Sequence, residues 1–285
     1  MIFKTNIKTN LIPDIVEKKI IDTIDKNPPQ CYNFISEIEI KNLFNLIINN
    51  PSNIKYSIDI DQIISIRSSF IKNRMIKTYF KLVAKSKKII ELYNKKYNII
   101  ELSKRFDGSP LTIIRIIFNK KYYLNIKKIF NNPDKLLSYD REQFNLAKQN
   151  DIFALINQDS ILLKSIEFEK KIEIILKKLN IVYKTQEQLA KEQIKKYGKA
   201  LNTPDFLILS DLIINNNLIK WIDAKNFYGS NINFIRDGII KQTKKYIDQF
   251  GQGCIIFSLG YNDIYHNNNI LFLSYNSFVN LTPNI

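Results

Sequence analysis

Residues 203–229 read TPDFLILSDLIINNNLIKWIDAKNFYG, and they decide how the second half of the chain folds. Two apolar runs, 206–209 and 218–222, flank Asn215-Asn216-Asn217. Short apolar runs separated by residues that tolerate turns predict two strands joined as a hairpin. Folded about that turn, the hairpin brings Asp205 and Asp223 close to opposite each other at its open end, because their midpoint lies beside the turn. Strand side chains alternate, so Trp221, Asp223 and Lys225 share one face and Ile222 and Ala224 the other. The Lys225 ammonium is thereby expected beside both carboxylates.

Working outward, 161–179 has the spacing of an amphipathic helix, with Leu162, Ile166, Ile172, Ile175, Leu176 and Leu179 for the core and Glu167, Glu169 and Glu173 among its polar positions. Ile181-Val182-Tyr183 reads as a strand. Residues 235–250 return to helix, stopped by Gly251 and Gly253, before the buried-type strand Cys254-Ile255-Ile256-Phe257 and a further strand at 270–275. This order predicts an α/β domain over 151–285, a mixed sheet flanked by helices. Residues 1–150 are expected to form an all-α region: apolar residues recur at helical spacing, as in Ile15, Ile20 and Ile24, with breaks at Asn27-Pro28-Pro29, Asn49-Asn50-Pro51, Asp107-Gly108-Ser109-Pro110 and Asn131-Asn132-Pro133. Within it, 98–122 has the outline of a helix-turn-helix. Ile100, Leu102 and Phe106 precede an Asp107-Gly108 turn, Ser109 caps a second helix starting at Pro110, and Thr112, Arg115 and Asn119 project from that helix with Lys120 and Lys121 at its end. An ordinary helical hairpin in a bundle has the same pattern.

The chain has 285 residues, a formal charge of +16 and a pI near 9.5. Phosphate polymers and anionic membranes are the usual partners of such a surface, although Lys- and Asn-rich composition also follows from AT-rich coding. No run of about 18 apolar residues occurs, and MIFKTNIKTN is no signal peptide, so a soluble, intracellular protein without membrane association is expected. Cys31 and Cys254 match no metal spacing or disulfide framework. His266 is the single histidine, which argues against a histidine dyad or a multi-histidine metal site. Catalysis would fall to carboxylates, Lys, Tyr or Ser.

Two carboxylates held close together repel unless a positive charge lies between them, and hard oxygen ligands suit Mg²⁺ or Mn²⁺. Such an ion, with a third carboxylate from the helix before the sheet, would lower the pKa of a bound water and stabilise charge on a phosphodiester. Lys225 would orient or deprotonate that water. Against this stands a plainer reading, in which Asp205 is a turn residue after Pro204 and Asp-Ala-Lys a solvated strand end with an ion pair worth under about 1 kcal/mol.

Pro204-Asp205, followed by Asp223-x-Lys225 after an apolar strand, resembles the PD-(D/E)xK nuclease signature, and Gln242 with Tyr246 is similar to the QxxxY element of its RecB-type members. More narrowly, TPDFLIL, WIDAKNFYG and KQTKKYIDQFGQGCIIFSLGY resemble the codanin-interacting nuclease family, over about residues 167–261 and more weakly upstream. The resemblance implies a restriction-endonuclease-like fold, a metal-dependent deoxyribonuclease activity and Mg²⁺ or Mn²⁺ as cofactor. It implies Asp205 and Asp223 as metal carboxylates, Lys225 as the catalytic lysine, Gln242 as support for metal site and substrate, and Glu169 as the helix glutamate, with Glu173 its rival. It also implies DNA and a codanin-like protein as partners, and a nuclear or cytoplasmic site in a eukaryote, or host cell or virion for a viral chain. Asp223 stands where that family usually has Glu, and Phe168 where a His precedes the helix glutamate. Lys241, Lys244, Lys245 and Tyr246, with Arg115 upstream, are expected to contact nucleic acid; the lysines equally suit a solvated helix face. Phe227 and Tyr228 either stack on an unpaired base or pack over the sheet. The alternative function is a nucleic-acid-binding or scaffold protein that keeps the nuclease fold with little activity, and a third reading is a transcription regulator built on the helix-turn-helix.

Overall fold

Asn215 and Asn216 turn the hairpin, with φ angles of 48° and 64°. A two-residue turn with both central φ positive matches the twist of the strands it joins, and asparagine tolerates that conformation better than other side-chain-bearing residues. Around it, a computed structural model describes residues 1–5, 10–27, 32, 35–50, 56–122, 129, 132–152, 155–267 and 269–283. Cys31 lies outside the described residues; Cys254 is a buried free thiol.

In chain order the elements are β1 (Ile2–Lys4), β2 (Leu11–Ile12), α1 (Asp14–Lys26), α2 (Glu37–Ile48), α3 (Ile60–Ala84), α4 (Ser86–Asn94), α5 (Ile99–Phe106) and α6 (Pro110–Lys121). A 3₁₀ turn (Pro133–Lys135), α7 (Ser138–Gln149), α8 (Leu155–Lys178), β3 (Tyr183–Thr185), α9 (Gln186–Tyr197), β4 (Phe206–Ile214) and β5 (Asn217–Lys225) follow. The chain closes with α10 (Asn233–Phe250), β6 (Gly253–Phe257), β7 (Tyr261–Asn262), β8 (Ile270–Ser274), α11 (Tyr275–Val279) and β9 (Thr282–Pro283). Two compact units result, each drawn from separate stretches: Met1–Thr23, Phe44–Ser69 and Leu162–Ile285 form one, Ile24–Leu43 and Phe70–Ile161 the other.

The first unit carries a mixed sheet in the order β8-β6-β5-β4-β1-β9, with β3 also paired to β4. β4 and β5 are antiparallel, while β5, β6 and β8 run parallel. The expectation of an all-α region over 1–150 does not hold, because β1 and β2 are strands and β1 lies in this sheet. Phe3 is its buried residue, flanked by exposed Ile2 and Lys4, and β4 secures it through Ile213 N–H to Met1 O (2.9 Å) and Asn215 N–H to Phe3 O (3.0 Å). A strand of three residues is too short to show a period.

One face of the sheet packs Ile208, Ile222, Cys254, Ile256 and Leu273 against Phe168, Ile172 and Leu176 of α8. That i, i+4, i+8 row replaces part of the expected one: Leu162 and Ile166 are 59% and 37% exposed. The other face packs Trp221, Ile255, Phe257 and Phe272 against Ile239 and Tyr246 of α10. Gly253 sits under Trp221, where a Cβ would come within 2.0 Å of the indole.

In the second unit α6 is central. Ile113, Ile114, Ile117 and Phe118 are fully buried in a cluster with Tyr93, Leu102 and Phe144. The expected local chemistry is present: Ser109 Oγ accepts from Thr112 N–H, Pro110 takes the first turn, and Asp107 closes α5 with a φ of 52°. The expected display is present in part. Thr112 is buried, and the exposed positions are Arg115, Asn119, Lys120 and Lys121. Apolar on most sides, α6 is a core helix of this unit that also presents Arg115, Asn119, Lys120 and Lys121 to solvent. Beside α6, fully buried Asp140 accepts from Tyr93 OH (2.7 Å), from Lys121 Nζ (2.6 Å) and from Tyr122 OH. Among the described residues no helix is long and apolar enough to cross a membrane.

Candidate functional site

The site lies at the open end of the β4–β5 hairpin. From the turn the strands pair Ile214 with Asn217, Ile213 with Leu218 and Leu212 with Ile219; the register then shifts, and the last pairs are Leu207 with Trp221 and Phe206 with Ile222. Asp205 and Asp223 are the next residue on each strand. Had the register set at the turn continued, Asp205 would oppose Asn226, so the irregularity between Leu207 and Leu212 brings the two aspartates together.

Each member has defined partners. Asp205 Oδ2 accepts the N–H of Ala224 (2.7 Å), and its backbone carbonyl accepts the N–H of Gln186 at the start of α9 (2.9 Å). Asp223 is 2% exposed. Its Oδ1 accepts from Gln242 Nε2 (3.4 Å), while its Oδ2 is in ionic contact with Lys225 Nζ but lacks hydrogen-bond geometry with any partner. Lys225 Nζ donates to Gln242 Oε1 (2.9 Å), Gln242 Nε2 to Tyr246 OH (3.0 Å), and Tyr246 OH to Thr203 O (3.3 Å). Gln242 and Tyr246, one turn apart on α10, thus tie Lys225 to the strand entry carrying Thr203-Pro204-Asp205. Tyr246, expected to meet nucleic acid, is buried edge-on against Trp221, with ring centroids 5.3 Å apart.

Burial, and then the charge of Asp223, pushes the Asp205 carboxyl well above its ordinary value; Glu169 adds to this and Lys225 opposes it. Burial raises Asp223 too, against the pull of Lys225. Glu169 of α8 is raised by burial and then by the charge of Asp223, again opposed by Lys225. Three carboxylates therefore share one field with one ammonium. Glu173 belongs elsewhere: it accepts from Tyr183 OH (2.9 Å) and pairs with Lys177 (2.8 Å), which hold it below the ordinary value. Phe168 is in the core, edge-on to Tyr275. Among the described residues no three His, Cys, Asp or Glu side chains converge tightly enough to cage an ion.

Lys241, Lys244 and Lys245 are exposed along α10. Arg115 is exposed on α6 of the other unit. The loop after Lys225 is packed. Tyr228 is fully buried and Phe227 lies against Phe257, with centroids 6.1 Å apart. Buried Glu17 of α1 fixes that loop by accepting from Ser230 Oγ (2.5 Å), Asn231 N–H (3.0 Å), Asn262 Nδ2 (2.5 Å) and Tyr228 OH (3.2 Å). Sequence reading missed Glu17, whose partners lie more than 200 residues away. It also missed a cleft of about 320 Å³ beside Gln242 and Tyr246, to which Gln186, Asn202 and Gly238 contribute. Only Gly238, a glycine inside a helical pattern, signalled it.

Residues 134–276 match the family model described as a protein of unknown function with a TPD sequence motif. The match takes in half of the 285 residues, and the chain belongs to this family. The tripeptide Thr203-Pro204-Asp205 falls within the matched span, at the site. An uncharacterized protein of Acanthamoeba polyphaga mimivirus is 27% identical over 280 residues, covering 94% of this chain and 86% of that relative. No solved structure matches the chain.

Proposed function

We propose that this member of the TPD-motif family is a metal-dependent nuclease that hydrolyses phosphodiester bonds in DNA with selectivity for its structure. One observation carries the reading: Asp205, Asp223 and Lys225 meet at the end of one hairpin, and Asp223 Oδ2 is buried there without a hydrogen bond. The Lys225 ammonium already lies on that oxygen, and a divalent ion would share the paired carboxylates with it. Hard oxygen donors with raised proton affinity fit Mg²⁺ or Mn²⁺, and Asp205 and Asp223 would hold it, with Glu169 in the same field. A bound divalent ion supplies charge stabilisation at the phosphate and acidifies water. Lys225, its ammonium kept in place by Gln242 Oε1, would orient the attacking water. Tyr246 and Thr203 hold Gln242 and the strand entry in register with it. The chain's +16 charge suits a polyanionic substrate.

A second reading is a nucleic-acid-binding or scaffold protein with this fold and little activity. It is favoured by the Lys225 ammonium lying on Asp223 and by the looseness of the three carboxylates as a cage. Incubating the purified protein with linear, flapped and four-way-junction DNA, with Mg²⁺, Mn²⁺ or EDTA, separates the two. The nuclease reading expects metal-dependent cleavage that Asp223→Ala and Lys225→Ala abolish. Binding without cleavage under every metal hands the protein to the scaffold reading, and full activity in Lys225→Ala overturns the residue roles. The family resemblance adds a codanin-like protein partner and an intracellular site of action, in the nucleus of a eukaryote or in the host cell or virion of a virus, which co-precipitation and localisation of a tagged chain would test.

A further inference from the structure

The cleft beside the carboxylates has a composition of its own. Gln242 and Tyr246 belong both to it and to the network that holds Lys225, so cleft and site are contiguous. Lys241 and Lys245, one turn apart on α10, line it as exposed cations without an acidic partner among the described residues. Opposite charges in reach of a phosphate are thereby supplied. Gln186 uses its Nε2 on Thr203 O (3.2 Å) and Asn202 its Nδ2 on Gln249 Oε1 (2.8 Å). Each amide oxygen is left to accept, as the exocyclic amines of nucleobases require. The volume of about 320 Å³ sits at the small end of ligand sites, room for one nucleotide and not for a duplex.

Gly238 offers a way to fill the cleft. Glycine is the poorest helix former after proline, and a glycine inside a helix is ordinarily explained by something packed against it. Here a Cβ would meet nothing within 4 Å. Gly238 thus lines the cleft at an exposed position with room for a larger side chain.

We propose that this cleft seats one unpaired nucleotide of a nucleic-acid strand, its phosphate on Lys241 and Lys245 and its base edge on Gln186 and Asn202. The inference deepens the nuclease reading by naming the substrate class, a strand that is single or frayed next to the cut, and its link to cleavage rests on that reading. Its binding test does not.

Anisotropy of a labelled 12-nucleotide single strand and of the matching blunt duplex, measured in EDTA, reads the cleft without hydrolysis. Wild type is expected to prefer the single strand by about tenfold, the scale of one seated base. Gly238→Phe, which fills the cleft without changing charge, and Lys241→Glu with Lys245→Glu should each erase that preference, whereas Gly238→Ala should keep it; circular dichroism reports that the variants are folded. Single-strand binding by Gly238→Phe equal to wild type, or an equal or tighter grip on the duplex by wild type, overturns the cleft assignment and leaves the carboxylate site untouched. Displacement of the strand by deoxyadenosine monophosphate at the strand's own concentration overturns the strand as ligand in favour of a free nucleotide. Cleavage of flapped DNA by wild type but not by Asp223→Asn is read separately, so that either idea fails without the other.

Discussion

Asp140 and Asp223 are both buried, at 0% and 2% exposed, and both have a lysine in contact. Their surroundings diverge from there. Asp140 receives two phenols and an ammonium, and although burial alone would raise it, those bonds hold its carboxyl below the ordinary value. Asp223 faces two further carboxylates, keeps one oxygen without a hydrogen bond and is raised. Glu17, in the same unit as Asp223, again has four donors. The contrast therefore does not follow the unit. Asp140 and Glu17 have hydrogen bonds to both oxygens, whereas Asp223 Oδ2 has the Lys225 ion pair alone, and burial raises Glu17 as it raises Asp223.

The largest effect that could break this comparison is on chemistry. Asp223→Asn should lower metal-dependent cleavage of flapped DNA by at least about 100-fold, as expected when a charge aimed at the transition state is removed. Asp140→Asn should leave cleavage in the folded protein unchanged. Equal losses in the two variants would show that both carboxylates act through the fold alone.

Next comes stability. Asp140→Ala strands Tyr93 OH and Lys121 and should cost about 3 kcal/mol in urea unfolding. Asp205→Asn goes the other way: the amide oxygen still accepts the Ala224 N–H, while one of the mutually repelling charges disappears. In EDTA at a pH above about 8, where Asp205 is ionised, it should stabilise the protein by about 1 kcal/mol, raising Tm by a few degrees. A loss of stability in that variant would mean that Asp205 is a satisfied structural residue.

The pH dependence sharpens the same contrast, because the shifts have opposite signs. Asp140 has its folded value below the ordinary 3.8, so its stabilisation is present above that value and is lost as pH falls through the lower one. Asp205 has its folded value raised, so it favours the folded state below the ordinary 3.8, and that contribution is lost as pH climbs toward the raised value. Amide exchange in EDTA should therefore show α10 and β5 loosening from pH 5 to pH 8 while α6 does not, and Mg²⁺ should reverse the loosening at pH 8. Parallel behaviour of the two regions would refute the assignment.

How far the sequence carried this differs from element to element. The Asn turn and the two flanking strands were legible because the turn chemistry and the apolar runs are local. The meeting of Asp205 with Asp223 was read correctly from a midpoint, but the structure reaches it through a register shift inside β4 that no pattern of residues announces. β1 escaped because three residues carry no period, and the burial of Thr112 because a helix apolar on nearly every side does not say which side is inside. The cleft was invisible for another reason: Gln186, Asn202 and Lys241 are far apart in sequence and line one cleft only in the folded chain.

The smallest expected effect separates Glu169 from Glu173, four residues apart on one helix. Both were candidates for the third carboxylate, and they differ in what they feel: Glu169 feels Asp223 and Lys225, whereas Glu173 is occupied by Tyr183 and Lys177. Glu169→Gln removes one of the three charges that a divalent ion would balance, yet it touches no hydrogen bond of the site. Its effect should be a higher Mg²⁺ requirement, by about fivefold, equivalent to about 1 kcal/mol, with the same cleavage rate at saturating metal. Glu173→Gln loses an ion pair with exposed Lys177 and weakens a bond to Tyr183, at a cost of about 1 kcal/mol or less in unfolding, and its Mg²⁺ titration should overlay that of wild type. A shifted titration in Glu173→Gln and an unshifted one in Glu169→Gln would exchange their roles and move the third carboxylate one helical turn away from Asp223.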